Sequence, residues 1–141
     1  MSLFSVFNVA GSALNAQTIR LNTPASNLAN AESVNGDPSQ VYRGRHAVFQ
    51  AMMDDSDTSD DGQDASAGVR VLGIVESTTP PTMSYQPNNP QANKDGYVYM
   101  SNVNPIEEMT NMISANRSFS SDVEAINTAR DLLLKTISMG H

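Results

Sequence analysis

The side chains best suited to chemistry are few. Two histidines and no cysteine are present, which excludes thiolate nucleophiles, disulfides and thiolate metal sites. His46 stands between Arg45 and Ala47, and His141 is the last residue. Neither has a nucleophile or carboxylate at a useful spacing, so each reads as a surface histidine. No Gly-x-Ser-x-Gly elbow, phosphate-binding glycine loop or His-Glu-x-x-His helix occurs, and those chemistries need those spacings. No catalytic or cofactor-binding residue is assigned.

Carboxylates raise one further possibility. Asp54, Asp55, Asp57, Asp60, Asp61 and Asp64 crowd one short stretch, and calcium takes oxygen ligands of this kind. Setting Asp57, Ser59, Asp61 and Gly62 on the first half of a calcium loop puts Gly68 where the bidentate glutamate must stand. The register fails. The stretch 54–67 therefore reads as a mobile, solvated acidic loop, and no metal is assigned. Asn116-Arg117-Ser118 has the form of a glycosylation sequon, but it falls within a helical pattern, where chance explains it better.

The elements that would position side chains are more clearly written. Between Ser2 and Asn30, Phe7, Leu14, Leu21 and Leu28 recur every seven residues, with Leu3, Ala10 and Gln17 on the neighbouring seam. Pro24 interrupts this helix, so a kink or short restart is expected there, with Thr23 available as a cap. A second helix is predicted from Pro105 to Met139. Asn104 suits its cap, Pro105 its first position and Glu107 a capping box. Met109, Met112, Asn116, Phe119, Val123, Ile126, Arg130, Leu133 and Ile137 then alternate spacings of three and four.

Between these ends the composition changes. Val69 to Val75 reads as a strand, and so does Tyr97 to Met100 after an Asp95-Gly96 turn. Pro80, Pro81, Pro87 and Pro90 punctuate what reads as an irregular extended strap. The expected fold class is α+β. Residues 1–30 and 105–141 form a terminal helical region packed coiled-coil-like and antiparallel, and 31–104 a small β-rich centre carrying the acidic loop.

Leu, Ile, Val and Phe number 29 of 141 residues, near the lower limit for a chain that must bury a core alone. Fifteen acidic against eight basic residues give a net charge of −7, which offers no general attraction to nucleic acid or anionic lipid. No stretch approaches the ~18 apolar residues of a membrane span. The first 19 residues hold no Lys or Arg and are interrupted by Asn8, Ser12 and Asn15. A cleavable secretory signal reads poorly in them, so another export route is expected.

Two segments carry a family resemblance. Arg20-Leu21-Asn22 followed by Ser26-Asn27-Leu28-Ala29-Asn30-Ala31 resembles the amino-terminal signature of bacterial flagellar rod and hook proteins. Asn102-Val103-Asn104, Glu107-Glu108-Met109 and Asn111 to Phe119 resemble the carboxy-terminal helix of the same proteins. Tyr85-Gln86-Pro87-Asn88-Asn89-Pro90 and Gly96-Tyr97-Val98-Tyr99-Met100 narrow the likeness to the proximal-rod family of the C type. The resemblance implies a non-enzymatic axial component of the basal body, found in the periplasmic rod. It also implies export through the flagellum's own apparatus and polymerisation with copies of itself and sibling rod proteins on the base of the basal body.

The residues support an assembly role on their own terms. Asn8, Asn15 and Asn22 lie seven apart beside the apolar seam, and uncharged amides can satisfy several neighbours without burying charge. The expected assembly surface comprises Phe7, Leu14, Leu21, Asn22, Asn27, Leu28, Asn30, Met109, Met112, Asn116, Phe119, Val123, Ile126, Leu133 and Ile137. An autonomous coiled-coil adaptor that binds one partner helix is the alternative. Narrow stripes also predict that both terminal helices are largely unformed in the free chain and fold on assembly.

Overall fold

In a computed structural model the described residues are 3–53 and 67–139. Of the expected acidic loop, 54–66 lie outside the described residues, and Ala67 opens a strand. The chain runs α1 (Leu3–Ala29), β1 (Val34–Asn35), β2 (Arg45–Met53), β3 (Ala67–Glu76), β4 (Thr82–Tyr85), β5 (Tyr97–Met100) and α2 (Pro105–Met139). The α+β class and both helix spans match the sequence reading.

α1 holds 27 residues and α2 35, or about 40 Å and 52 Å at 1.5 Å per residue. α1 is a single helix through Pro24, not two. Thr23 consequently caps nothing: its hydroxyl donates to the Ile19 carbonyl at 2.8 Å, the back-bond that Thr makes inside helices. Asn104 does cap α2, its Oδ1 accepting the Ile106 N–H at 3.1 Å.

β2 and β3 form a long antiparallel hairpin in which Arg45 pairs with Glu76 and Met53 with Ala67. Val48 faces Gly73 while Phe49 faces Val71, so Leu72 is an extra residue bulged from β3. Gly73 takes φ +157° there, a conformation that a side chain would strain. A second sheet has the order β1-β5-β4, with β5 central and Val98 fully buried on it. The Asp95-Gly96 turn forms as expected, Gly96 at φ +81°. The proline-rich strap is less irregular than expected, because β4 pairs Thr82–Tyr85 with β5. Strand β2 goes beyond the two strands expected from the sequence, because Arg45–Met53 does not alternate cleanly between apolar and polar residues.

The hairpin contacts α1, and α1 contacts α2; among the described residues the hairpin and α2 form no element-to-element contact. α1 is therefore the middle layer. Arg20, Thr23 and Pro24 of α1, Arg45, His46, Ala47 and Phe49 of β2, and Glu108 and Asn111 of α2 line one small cavity, so the side chains of the hairpin and of both helices meet near the end of α1. The buried side chains are Ala16, Thr23 and Asn27 of α1, Ala31, Val41 and Ser101 in the connections, Val98 of β5, and Glu108 and Ala115 of α2. No residue in 6–15 or in 116–139 is buried.

Candidate assembly surface and the joints that shape it

Three asparagines of the signature segments make the joints between layers. Asn27 is fully buried. Its Oδ1 accepts the Arg45 N–H at 2.9 Å and the Tyr42 hydroxyl at 2.9 Å, and its Nδ2 donates to the Arg45 carbonyl at 2.7 Å. One amide thus satisfies both backbone groups of the first residue of β2, which an aliphatic or charged side chain could not do. At the hairpin's other end Ser12 Oγ accepts the Val69 N–H at 3.2 Å. Ser12 and Asn27 are about 22 Å apart along a helix, close to the ~20 Å from Arg45 to Ala51, the partner of Val69, along a strand. The hairpin is pinned along α1 at both ends.

Asn102 makes the second joint. Its Oδ1 accepts the Gly44 N–H at 2.7 Å and its Nδ2 donates to the Thr79 carbonyl at 2.7 Å. It thereby ties the segment entering α2 to both ends of the hairpin's base. Asn104 then caps the helix. Asn30 closes α1 by donating to the Ser26 carbonyl at 2.8 Å, one of the carbonyls that every helix end leaves open.

Within the single chain the expected seam of α2 divides in two. Met112, Phe119, Ile126 and Leu133, seven apart, are half-buried as expected. The companion series is displaced by one residue: Met109, Asn116, Arg130 and Ile137 are exposed, whereas Glu108, Ala115, Asp122 and Ala129 turn inward. Val123 stays half-buried beside Asp122. The inward series is small or acidic, so scoring for apolar character chose its larger neighbours. Ala115 at the contact lets the helices approach closely, which a bulky residue would prevent. Asp122 Oδ2 and Gln17 Oε1 are buried acceptors with no partner among the described residues.

α1 shows a similar displacement. Phe7, Leu14, Leu21 and Leu28 are half-buried, while the deepest positions are Ala16, Thr23, Pro24 and Asn27. A helix held between two layers buries its small residues at the closest approaches and leaves its leucines on the flanks. Asn8, Asn15 and Asn22 are exposed, on a stripe that continues through Gly11, Thr18, Ser26 and Ala29. Asn30 is half-buried, and all three amide hydrogen bonds of Asn27 stay inside the chain.

Large apolar side chains left open are Ile106, Met109, Ile113, Leu132, Leu134, Ile137 and Met139 on α2, and Leu72, Ile74 and Val75 on β3. Among the described residues, no group of His, Cys, Asp and Glu is arranged to hold a metal. No helix there is long and apolar enough to cross a membrane.

A chain that satisfies its polar joints internally and leaves apolar helix surface open has the character of an architectural subunit. Residues 7–36 match the family described as flagella basal body rod protein, and residues 94–139 match the flagellar basal body rod FlgEFG protein C-terminal family. Over 140 residues and 99% of both chains it is 45% identical to the flagellar basal-body rod protein FlgC of Salmonella typhimurium strain LT2. The identity is 46% over 140 residues with that of Yersinia enterocolitica, and 35% over 151 residues with that of Bacillus subtilis strain 168. The chain belongs to the FlgC family of flagellar basal-body rod proteins, whose members are structural subunits of the rod.

Proposed function

We propose that this chain polymerises into the proximal part of the flagellar rod through its terminal helices, 1–30 and 105–141, packed coiled-coil-like with those of its neighbours. The central segment 31–104 braces this axial core. The observation that carries the reading is the apolar surface of α2. Met109 and Ile113 near its start and Leu132, Leu134, Ile137 and Met139 near its end stay open although α1 packs on the same helix. A helix apolar on several faces is stable when several neighbours cover it. α2 is also eight residues longer than α1, about 12 Å that α1 does not match in length.

The neighbours are copies of the chain and sibling rod proteins, with the basal-body base below and the flagellar export apparatus as the route of delivery. The protein then resides in the periplasmic rod of the basal body. Rod assembly in cells whose own copy is replaced by variants tests this. Leu133→Asp and Ile137→Asp should stop rod growth and motility, while Lys94→Gln, exposed and outside both helices, should be tolerated. Normal filaments in cells lacking the protein altogether, seen by electron microscopy, would refute the role.

A further inference from the structure

We propose that Arg20 and Glu108 close into an ion pair when the subunit is assembled, locking α1 to α2, and that the free chain leaves this pair open. The inference rests on the assembly reading above and names a contact that assembly completes inside each subunit.

Glu108 is the charge that the fold does not otherwise use. Its side chain is only 5% exposed, and a carboxylate held away from water is costly unless a cation or donors meet it. The start of α2 does not need it. Asn104 caps the helix, and the exposed Glu107 already answers the dipole of the first turn. The side-chain hydrogen bonds of α2 lie at Ile106, Thr110, Thr136 and Ser138, and none involves Glu108. The ion pair among the described residues is Arg45 with Glu76, which leaves Glu108 without one there.

The cavity that Glu108 lines names its partner. Three basic side chains share it: Arg20, Arg45 and His46. Arg45 is engaged, with Glu76 at 3.3 Å and the Tyr42 ring centroid at 5.5 Å. Arg20 has a charge that no ordinary pH removes, which a histidine does not. It is also the one charged residue of α1. It stands one turn from Thr23 and Pro24, which are buried and line the same cavity. Arg20 itself is exposed and makes no ion pair among the described residues.

Water decides between the open and the closed pair. At 180 Å³ the cavity has room for several waters of about 30 Å³ each, so in the free chain the two charges are hydrated across it. Attraction between charges is weak through water and grows as water is excluded. Neighbours that cover α1 and α2 shut the mouth of the cavity, and the long, flexible Arg20 side chain turns in to meet Glu108. The two helices are then held to each other more firmly in a subunit that has joined than in one that has not.

The test compares the free chain with cells whose own copy is replaced by variants. Arg20→Gln and Glu108→Gln should each cut the number of filaments per cell at least threefold, counted by fluorescent labelling. The double variant should fall no further than the worse single one, because the two changes remove the same pair. Arg20→Lys, which keeps the charge, should recover most of the loss. In the purified chain, Arg20→Gln should leave the urea midpoint unchanged, and Glu108→Gln should leave it unchanged or raise it. Normal filament numbers in Arg20→Gln overturn the proposal. So do losses that multiply in the double variant, or a lowered midpoint for both single variants, which would mean that the pair is already closed in the free chain. Leu133→Asp separates the two readings: normal filaments there defeat the assembly reading itself, whereas normal filaments in Arg20→Gln alone defeat only this pair.

Discussion

Replacing Asn27 by alanine removes one buried amide and strands the Arg45 N–H and the Arg45 carbonyl, while the Tyr42 hydroxyl keeps only Ser26 Oγ at 3.4 Å. A polar group left unsatisfied inside a protein costs about 1 to 3 kcal/mol. Some relaxation towards water is available because Arg45 and Tyr42 are not themselves buried, so Asn27→Ala should cost about 3 to 5 kcal/mol in total. Tyr42→Phe, which removes one of the three bonds, should cost about 1 kcal/mol. Asn30→Ala, losing a single exposed bond to Ser26, should cost at most about 1 kcal/mol. Urea unfolding followed by circular dichroism gives all three values. In a double-mutant cycle, Asn27→Ala with Tyr42→Phe should be non-additive by more than about 0.5 kcal/mol. An Asn27→Ala cost no larger than that of Asn30→Ala would show that the hairpin is not held to α1 through this amide.

The register of α2 is tested by a pair of neighbours: Ala115→Leu should cost about 1 to 3 kcal/mol by overpacking, whereas Asn116→Leu should stay within about 0.5 kcal/mol, both read by thermal unfolding. In the free chain, hydrogen exchange should be fast for the amides of 6–15 and 120–139, where no side chain is buried, and slow for those of 17–29 and 108–115, which hold buried ones, so the unformed helices expected from the sequence narrow to their outer ends; uniform protection along both helices would contradict this. The backbone N–H and hydroxyl of Ser39 hold the Asp37 carboxyl below its ordinary value of 3.8. A depressed carboxyl stabilises the folded turn above the unfolded value and loses that contribution as pH falls through the lower folded one. The Ser39 amide resonance should therefore titrate below pH 3.8, and in Asp37→Asn it should not.

What the sequence made legible follows from which physical signals are local. Both helices, the Asn104 cap, the Gly96 turn and the strands at Val69 and Tyr97 depend on periodicity or on one residue's conformational preference, and these appeared where expected. The inward face of α2 did not, because Glu108, Ala115, Asp122 and Ala129 are chosen for small size or polarity by a partner helix that periodicity cannot see. The restart expected at Pro24, with Thr23 as its cap, is absent for a related reason. A proline that would end an isolated helix is tolerated where neighbours bury it, and both residues are buried. Asn27 and Asn102 were recognisable as parts of signature segments, yet their roles required knowing that Arg45, Gly44 and Thr79 return to meet them.

These joints separate two tasks that most small proteins combine. Hydrogen bonds from amides are directional and worth little when misaligned, so Asn27 and Asn102 fix how the hairpin meets α1 and the segment entering α2 while using little apolar surface. The apolar residues are thereby released from defining the subunit's shape, and Leu132, Leu134, Ile137 and Met139 remain open at the far end of α2. Burial is non-directional and scales with area, which suits it to attraction between copies whose relative positions are already set by rigid joints. On the proposed reading, a chain that used its few large apolar side chains to complete a private core would be a more stable monomer and a poorer rod subunit. Its 29 Leu, Ile, Val and Phe residues would then be buried before a neighbour arrived.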